Sequence, residues 1–306
     1  MYSFPAWTLF SGSTLRREEA TVLTVEEVTR ISLKTILFPT DFSPASSAAL
    51  PFALALARTY GSTLLLTHVL AGARGQDSEN NAVWQDARHS LEKFCVEHSI
   101  SDTPHKPVLD QGDLADVIPV IIGEQAVDLV VLGTHGRRGV SKLVLGSSAE
   151  KIYRSAPCPV LTVGPNVHNG NWRLRNILCP VDVLEDPGPF LKHALTLAKE
   201  NQSEFIVLQA VPLVPWQHRA SVEKQMCERL QRMIPPDAAS WCTPQFVVRW
   251  EHPAEAVVLA ASEWEADLIV MGVRKARAAK FSVHLPWPVA SEVVSRAPCP
   301  VLTIRV

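Results

Sequence analysis

The sequence has no excess charge of one sign, no paired-cysteine motif and no long apolar run. Its 29 Lys and Arg face 31 Asp and Glu, so charge gives no reason to expect a nucleic acid or an anionic membrane as partner. No apolar stretch reaches the roughly 18 residues of a membrane-crossing helix. No basic segment precedes the apolar N-terminus, as a secretory signal would require. Cys95, Cys158, Cys179, Cys227, Cys242 and Cys299 form no CxxC pair. Reduced, mostly buried thiols in a cytoplasmic protein are expected rather than a disulfide framework. Three phosphate-handling signatures are also missing: a GxxxxGK[ST] loop, a His-x-Gly-His pair and a Ser-Gly-Gly-x-Asp-Ser loop.

What is present is a duplication. Apolar residues make up 47% of 306, enough for two cores at about 100–200 residues per domain. Ile36-Leu37-Phe38-Pro39-Thr40-Asp41 matches Ile177-Leu178-Cys179-Pro180-Val181-Asp182, an offset of 141. Ala156-Pro157-Cys158-Pro159-Val160-Leu161-Thr162 matches Ala297-Pro298-Cys299-Pro300-Val301-Leu302-Thr303 at the same offset. Asp128 to Gly133 matches Asp267 to Gly272 at 139. Such a period is too long for a solenoid, whose repeats run about 20–50 residues, and means whole-domain duplication. The division expected is an N-terminal extension at 1–30, a first domain at 31–165 and a second at 172–306. A Gly-, Asn- and Pro-rich linker joins the two domains. Thr24-Val25-Glu26-Glu27 suits a short helix start within the extension.

Each copy alternates short apolar runs with amphipathic stretches. The runs fall at 34–39, 63–70, 106–109, 128–133 and 159–163, then at 175–180, 204–211, 245–250, 267–272 and 300–304. Several are continuous, as in Leu129-Val130-Val131-Leu132, which suits strands covered on both faces. The stretches 45–60, 82–99, 113–126 and 147–155 suit crossover helices. The fold class is therefore α/β: two tandem Rossmann-like domains, each a five-stranded parallel sheet with helices on both faces.

In such sheets ligands sit beyond the carboxyl ends of the strands, where strand order reverses. After the fourth run comes Gly133-Thr134-His135-Gly136-Arg137-Arg138-Gly139, ending in Gly146-Ser147-Ser148. Glycines allow close backbone approach and positive φ. Gly146-Ser147-Ser148 opens a helix whose first amides and dipole favour an anion. Ser147 and Ser148 add hydroxyl donors, and Arg137, Arg138 and Lys142 add positive charge.

This Gly-x2-Gly-x9-Gly-Ser segment resembles the ATP-binding signature of the universal stress protein family. Phe38-Pro39-Thr40-Asp41-Phe42-Ser43, Thr67-His68-Val69 and Ala156-Pro157-Cys158-Pro159-Val160-Leu161 resemble other segments of that family. The resemblance covers roughly 32–165 strongly and 173–306 loosely. It implies an adenine nucleotide alpha hydrolase-like fold and ATP as ligand, with ADP or AMP as alternatives and Mg2+ as an accompanying ion. It places Asp41 near ribose or adenine, Pro39 and Thr40 on the same wall, and the Val69 backbone at the base. It places Gly133, Gly136, Gly146, Ser147 and Ser148 around ribose and phosphates. It also implies pairing through the last strand, here 159–163 against 300–304 within one chain. A further homodimer is left open.

Structural alternatives accompany these readings. Asp41 before Ser43-Pro44 suits a turn or helix cap. Val69 also suits the core. His68 reads as structural, His135 as an exposed loop residue, and Gly112-Asp113 as a turn and helix cap.

The second copy keeps Asp182 and Gly272 but puts Lys275 where Gly136 stands. Aligned at 142, Pro288-Val289-Ala290 fall opposite Gly146-Ser147-Ser148, with no glycine and no hydroxyl. One nucleotide per chain is expected, in a stress or signalling role, with the basic cluster Arg274, Lys275, Arg277 and Lys280 left as a solvated loop. The alternatives are a slow ATP hydrolase or nucleotidyl transferase, or a nucleotide-free interaction module.

Overall fold

A computed structural model describes residues 31–72, 81–134, 146–168, 172–183, 188–211, 216–273 and 287–305. Domain 1 comprises β1 (Thr35–Pro39), α1 (Pro44–Tyr60), β2 (Thr63–Leu70), α2 (Ala82–Glu97), β3 (His105–Gln111), α3 (Leu114–Glu124), β4 (Leu129–Gly133), α4 (Ser147–Ser155) and β5 (Val160–Val163). Domain 2 comprises β6 (Asn176–Pro180), α5 (Gly188–Asn201), β7 (Glu204–Ala210), α6 (Trp216–Met233), β8 (Pro244–Arg249), α7 (Pro253–Glu263), β9 (Leu268–Val273), α8 (Trp287–Arg296) and β10 (Val301–Arg305). The apolar runs are the strands, and the expected helix at 113–126 is shorter at each end. Residues 1–30, with the helix start at Thr24, lie outside the described residues.

The ten strands form one sheet in the order β3-β2-β1-β4-β5-β10-β9-β6-β7-β8. Pairing is parallel within each domain, and β5 meets β10 antiparallel. Period-two alternation sorts side chains between two faces. Ile36, Phe38, Leu161 and Val163 join a core with α1, α2, α5 and α6. Leu37, Leu65, Val130 and Val160 join another with α3, α4, α7 and α8.

The repeated aspartates have a common structural reason. Asp128 Oδ2 accepts the amides of Lys34 at 2.7 Å and Thr35 at 3.0 Å. Asp267 Oδ2 accepts those of Arg175 at 2.8 Å and Asn176 at 3.0 Å. Each carboxylate, standing just before the fourth strand of its domain, pins the start of the first.

The seam is centred on Leu161 opposite Leu302, with Val160 opposite Thr303 and Thr162 opposite Val301. The Thr303 hydroxyl adds a bond to the Val160 carbonyl at 3.1 Å. The chain just past β5, and β10 itself, each reach the other domain's final helix. Asn166 Nδ2 donates to the Arg296 carbonyl at 3.2 Å. Arg305 donates to the carbonyls of Tyr153 and Arg154, so a cation sits at the negative end of α4. A second tie joins α1 to α5: Glu200 accepts the Ile31 amide at 2.7 Å and the Tyr60 hydroxyl at 3.1 Å. Burial, with Glu200 beside it, pushes the Tyr60 phenol up to about 12.

Gly164 is the tight point of the seam. A Cβ there would lie 2.4 Å from the Val294 carbonyl oxygen in α8, a backbone atom with no freedom to move. We therefore expect Gly164→Ala to lower unfolding free energy by about 1–3 kcal/mol, the usual effect of overpacking. Gly123→Ala in α3, where a Cβ meets nothing within 4 Å, should leave stability unchanged or raise it. Chemical denaturation of the two variants checks the contrast.

Candidate functional site

Strand order reverses between β1 and β4, so the crevice lies past their carboxyl ends. On one side stands the turn that leaves β1. The Thr40 amide donates to the Thr67 carbonyl at 2.8 Å, the last tie to β2. Phe42 then adopts a left-handed φ of 59°, unusual for a bulky residue, and the chain doubles back. Asp41 Oδ1 accepts the Ser43 amide at 3.0 Å across this turn. Ser43 caps α1 by accepting the Ser46 amide at 3.3 Å.

Thr40 is only 5% exposed, and its hydroxyl is occupied internally. The Ser46 hydroxyl donates to the Ser43 carbonyl, the Thr40 hydroxyl bonds to Ser46 Oγ at 3.0 Å, and Thr40 Oγ1 accepts the Phe42 amide at 3.0 Å. Thr40 therefore shapes the wall through its backbone and offers no hydroxyl to the crevice. His68, which the sequence marks only as structural, fixes the same turn. Its Nδ1 donates to the Thr40 carbonyl at 2.8 Å, and its ring packs 4.6 Å from that of Phe42. Phe42 in turn meets Phe94 edge-on at 5.8 Å. Phe42 falls within the Phe38–Ser43 segment, but nothing in the sequence marks its role, which comes from one backbone angle.

Val69 is half-buried. β1 pairs with β2 only as far as Pro39 opposite Thr67. Two residues further on, the Val69 backbone faces the same side as Thr67, where β1 has already turned away. That edge of β2 borders the crevice.

On the other side stand Gly133, Thr134 and the start of α4. The Gly146 amide donates to the Thr134 carbonyl at 2.7 Å and closes the loop. Gly136 and Arg137 lie in that loop, outside the described residues, as do His135, Arg138 and Lys142. Ser147 and Ser148 are exposed. Two expectations about the glycines need correction. Gly146 has φ −57° and ψ 145°, an extended conformation open to any residue. Gly133 is not among the positive-φ glycines either. A Cβ at Gly133 would lie 2.2 Å from the Ala45 carbonyl oxygen. Gly133 is therefore required for β4 to pass the first turn of α1, whatever the crevice holds.

The helix starts differ in their caps. Ser43, Asn81 and Asp113 cap α1, α2 and α3 with their side chains, Asn81 accepting the Trp84 amide at 3.1 Å and Asp113 the Ala115 amide at 2.9 Å. α4 begins on Gly146 with no side-chain cap. Its first amides are left for water or an anion. Asp113 is further engaged by Lys151 of α4, and that hydrogen bond holds its carboxyl below the ordinary range. Gly112 and Asp113 thus form the turn and cap that the sequence suggests, Gly112 at φ 145°.

Domain 2 repeats the scaffold without this chemistry. The Val181 amide donates to the Leu208 carbonyl at 2.9 Å, as Thr40 does to Thr67. Gln209 replaces His68 and accepts the Val183 amide at 2.7 Å. The last helices align at an offset of 141, which corrects the 142 expected from the sequence. Ala149, Ile152 and Tyr153 are buried in α4, and Ala290, Val293 and Val294 in α8. This register sets Trp287 opposite Gly146, Pro288 opposite Ser147 and Val289 opposite Ser148. Lys275 and the rest of the basic cluster lie outside the described residues.

All six cysteines are free. Only Cys179 and Cys299 are fully buried, fewer than expected, and the other four are half-buried. Burial pushes the Cys158 thiol up to about 11 and that of Cys299 to about 12, so neither is a thiolate nucleophile near neutral pH. Among the described residues, no group of three His, Cys, Asp or Glu side chains is placed to hold a metal ion. No helix among them is long and apolar enough to cross a membrane.

Comparison with known proteins agrees with the duplication. The sequence model of the Universal stress protein family matches residues 32–164 and again 173–305. A universal stress protein of Thermus aquaticus is 33% identical over 135 residues, which cover 42% of this chain and 98% of the relative. One from Methanocaldococcus jannaschii is 26% identical over 155 residues, covering 44% and 96%. Among solved structures, a universal stress protein from Archaeoglobus fulgidus superposes with a TM-score of 0.63 at 16% identity, over 89% of this chain and 98% of its own. At that identity the likeness speaks for the fold alone.

The Gly133 contact generates a prediction that separates packing from binding. Gly133→Ala should destabilise the chain by about 1–3 kcal/mol, with the same loss in the presence and absence of nucleotide. Thermal unfolding under both conditions checks this.

Proposed function

Because the chain belongs to the universal stress protein family, we propose that it binds one adenine nucleotide at the carboxyl end of the domain 1 sheet and acts in stress response or signalling. The observation that carries this reading is the uncapped start of α4, the one α-helix among the described residues of domain 1 that no cap side chain closes. The residues around it fit such a ligand. Exposed Ser147 and Ser148 and the amides of the first turn would hold phosphates. Asp41, with Oδ1 engaged by Ser43, would accept a ribose hydroxyl through Oδ2. The Val69 backbone edge would meet the base, and Pro39 and Thr40 would form the wall beneath it.

Gly136 and Arg137 would complete the loop around the phosphates. ATP, ADP and AMP share the chemistry that this crevice would read, and Mg2+ would enter with the phosphates. In this reading domain 2 binds none, because tryptophan and proline stand where glycine and serine open α4. Proline also lacks the amide a phosphate would use. Binding would regulate by shifting the chain between two states of different affinity. The reading includes a cytoplasmic setting, where six free thiols remain reduced. Its domains are 31–165 and 172–306, with 1–30 as an extension.

Equilibrium binding of fluorescent ATP should give one tight site per chain, and two equivalent sites would refute the proposal. Gly146→Asp is the sharper test. Its extended cap angles resemble those of Asp113, at φ −78° and ψ 134°, so a carboxylate there should keep α4 as stable or add about 0.5 kcal/mol. It should still weaken ATP by about tenfold or more, through like charge and occupied amides. Unchanged ATP affinity in a folded Gly146→Asp protein would sink the reading.

A further inference from the structure

The ten-stranded sheet ends in β3 on the domain 1 side and in β8 on the domain 2 side. The duplication makes these edges equivalent: His105 pairs with Leu64, and Pro244 with Phe205, the counterpart of Leu64. An edge strand turns its amides and carbonyls alternately toward its neighbour and away from it. The Pro104 carbonyl accepts the Leu64 amide, and the Gly112 amide donates to the Leu70 carbonyl. The backbones of Lys106, Val108 and Asp110 therefore face β2, and those of Pro107 and Leu109 face outward. The Arg249 carbonyl accepts the Val211 amide. The backbones of Gln245 and Val247 therefore face β7 as well, and those of Phe246 and Val248 face outward.

The duplication is broken at this point. Pro107 stands where domain 2 has Phe246, and it has no amide to offer an incoming strand. Lys106 beside it is exposed and charged. Proline and lysine are two devices that close a sheet edge. β8 carries neither at these positions. All its residues are half-buried, with Phe246 packed on one core and Val247 on the other. Among the described residues it pairs with β7 alone. The open stretch is bounded on both sides, because Pro244 has no amide and Trp250 gives its own to Glu251 Oε2 at 3.1 Å.

The strand is its own complement. Laid antiparallel against a second copy about Val247, Phe246 falls opposite Val248 of the second copy, and Val248 opposite its Phe246. Each pair would exchange N–H···O bonds both ways, and each is an aromatic–β-branched pair of the kind that stabilises a sheet face. Gln245 falls opposite Arg249, whose charge is met by Glu263, so no like charges face each other. Val247 meets itself.

We propose that β8 is a docking edge for a second copy of this chain, the two pairing antiparallel into one continuous sheet as β5 and β10 do within the chain. Sedimentation of the full chain over a range of concentrations tests it. The wild type should pass from monomer to dimer as concentration rises. Phe246→Pro, which copies the device at Pro107, should weaken the dimer by about tenfold or more. Because Val247 faces its own copy, Val247→Lys and Val247→Glu should each stay monomeric alone, and an equimolar mixture of the two should recover the dimer. Recovery also shows that both variants are folded. A wild-type chain that stays monomeric at every concentration overturns the proposal, whether β8 is left to solvent or covered by another segment of the chain. A dimer that survives Phe246→Pro and both charged variants overturns it as well, because its interface then lies elsewhere. So does a mixture of the charged variants that stays monomeric.

Discussion

The antiparallel pairing of β5 with β10 is the constraint from which the rest of the architecture follows. A parallel five-stranded sheet ends in an edge whose amides and carbonyls invite another strand. Here the partner is in the same chain, so its effective concentration is high and the edge is closed once. The contacts that flank the seam, Asn166 on α8 and Arg305 on α4, satisfy helix carbonyls that would otherwise face water. Closure also fixes direction. Because the two halves of the sheet run opposite ways, the carboxyl ends of their strands lie at opposite edges. The two crevices therefore cannot share a ligand, whereas a cavity between the domains is lined by residues of both.

The two copies have kept their scaffold and diverged in polar detail. The aspartate pinning β1 and its counterpart pinning β6 are equivalent bond for bond. The first-strand turns are not. In domain 1 the turn is held by two hydroxyls, a histidine and an aspartate. In domain 2 valine replaces Thr40, and glutamine takes the place of the histidine. Buried hydrogen bonds of this kind fix one geometry because leaving any partner unmet is costly, about 1–3 kcal/mol for each group. Domain 1 thus has a turn of defined shape beside an uncapped helix, whereas domain 2 keeps the backbone bond from Val181 to Leu208 and leaves its first strand with different chemistry.

Much of this was legible in the sequence because it depends on period and repetition. Continuous runs such as Leu129-Val130-Val131-Leu132 name a strand buried on both faces, and a constant offset names a duplicated domain. Pro159-Val160-Leu161-Thr162-Val163 suggests the seam strand. The illegible parts depend on single contacts in three dimensions. Phe42 looks like any apolar residue until its φ of 59° sets the turn. Asp128 is visible as a repeat, yet its bonds to amides over ninety residues earlier in the chain leave no local pattern. The register of α8 differs by one residue from what the likeness of Ser291-Glu292 to Ala149-Glu150 suggests, because burial decides which face points inward.

The glycines show why a matched signature should be divided by cause. Gly133 and Gly146 stand in the same motif, but they answer different demands. Gly133 is fixed by the Ala45 carbonyl at 2.2 Å from a Cβ position, a contact inside the protein. Gly146 has ordinary angles and no side-chain cap, so its backbone conformation does not demand glycine. The same division explains domain 2. Gly272, the counterpart of Gly133, is retained, and a Cβ there would lie 2.5 Å from the Phe190 ring. The counterpart of Gly146 is tryptophan. A copy that no longer needed to hold a ligand would keep the packing glycine and be free to lose the other. The surviving Gly272 is therefore a relic of the fold, and its presence argues nothing for a second nucleotide site.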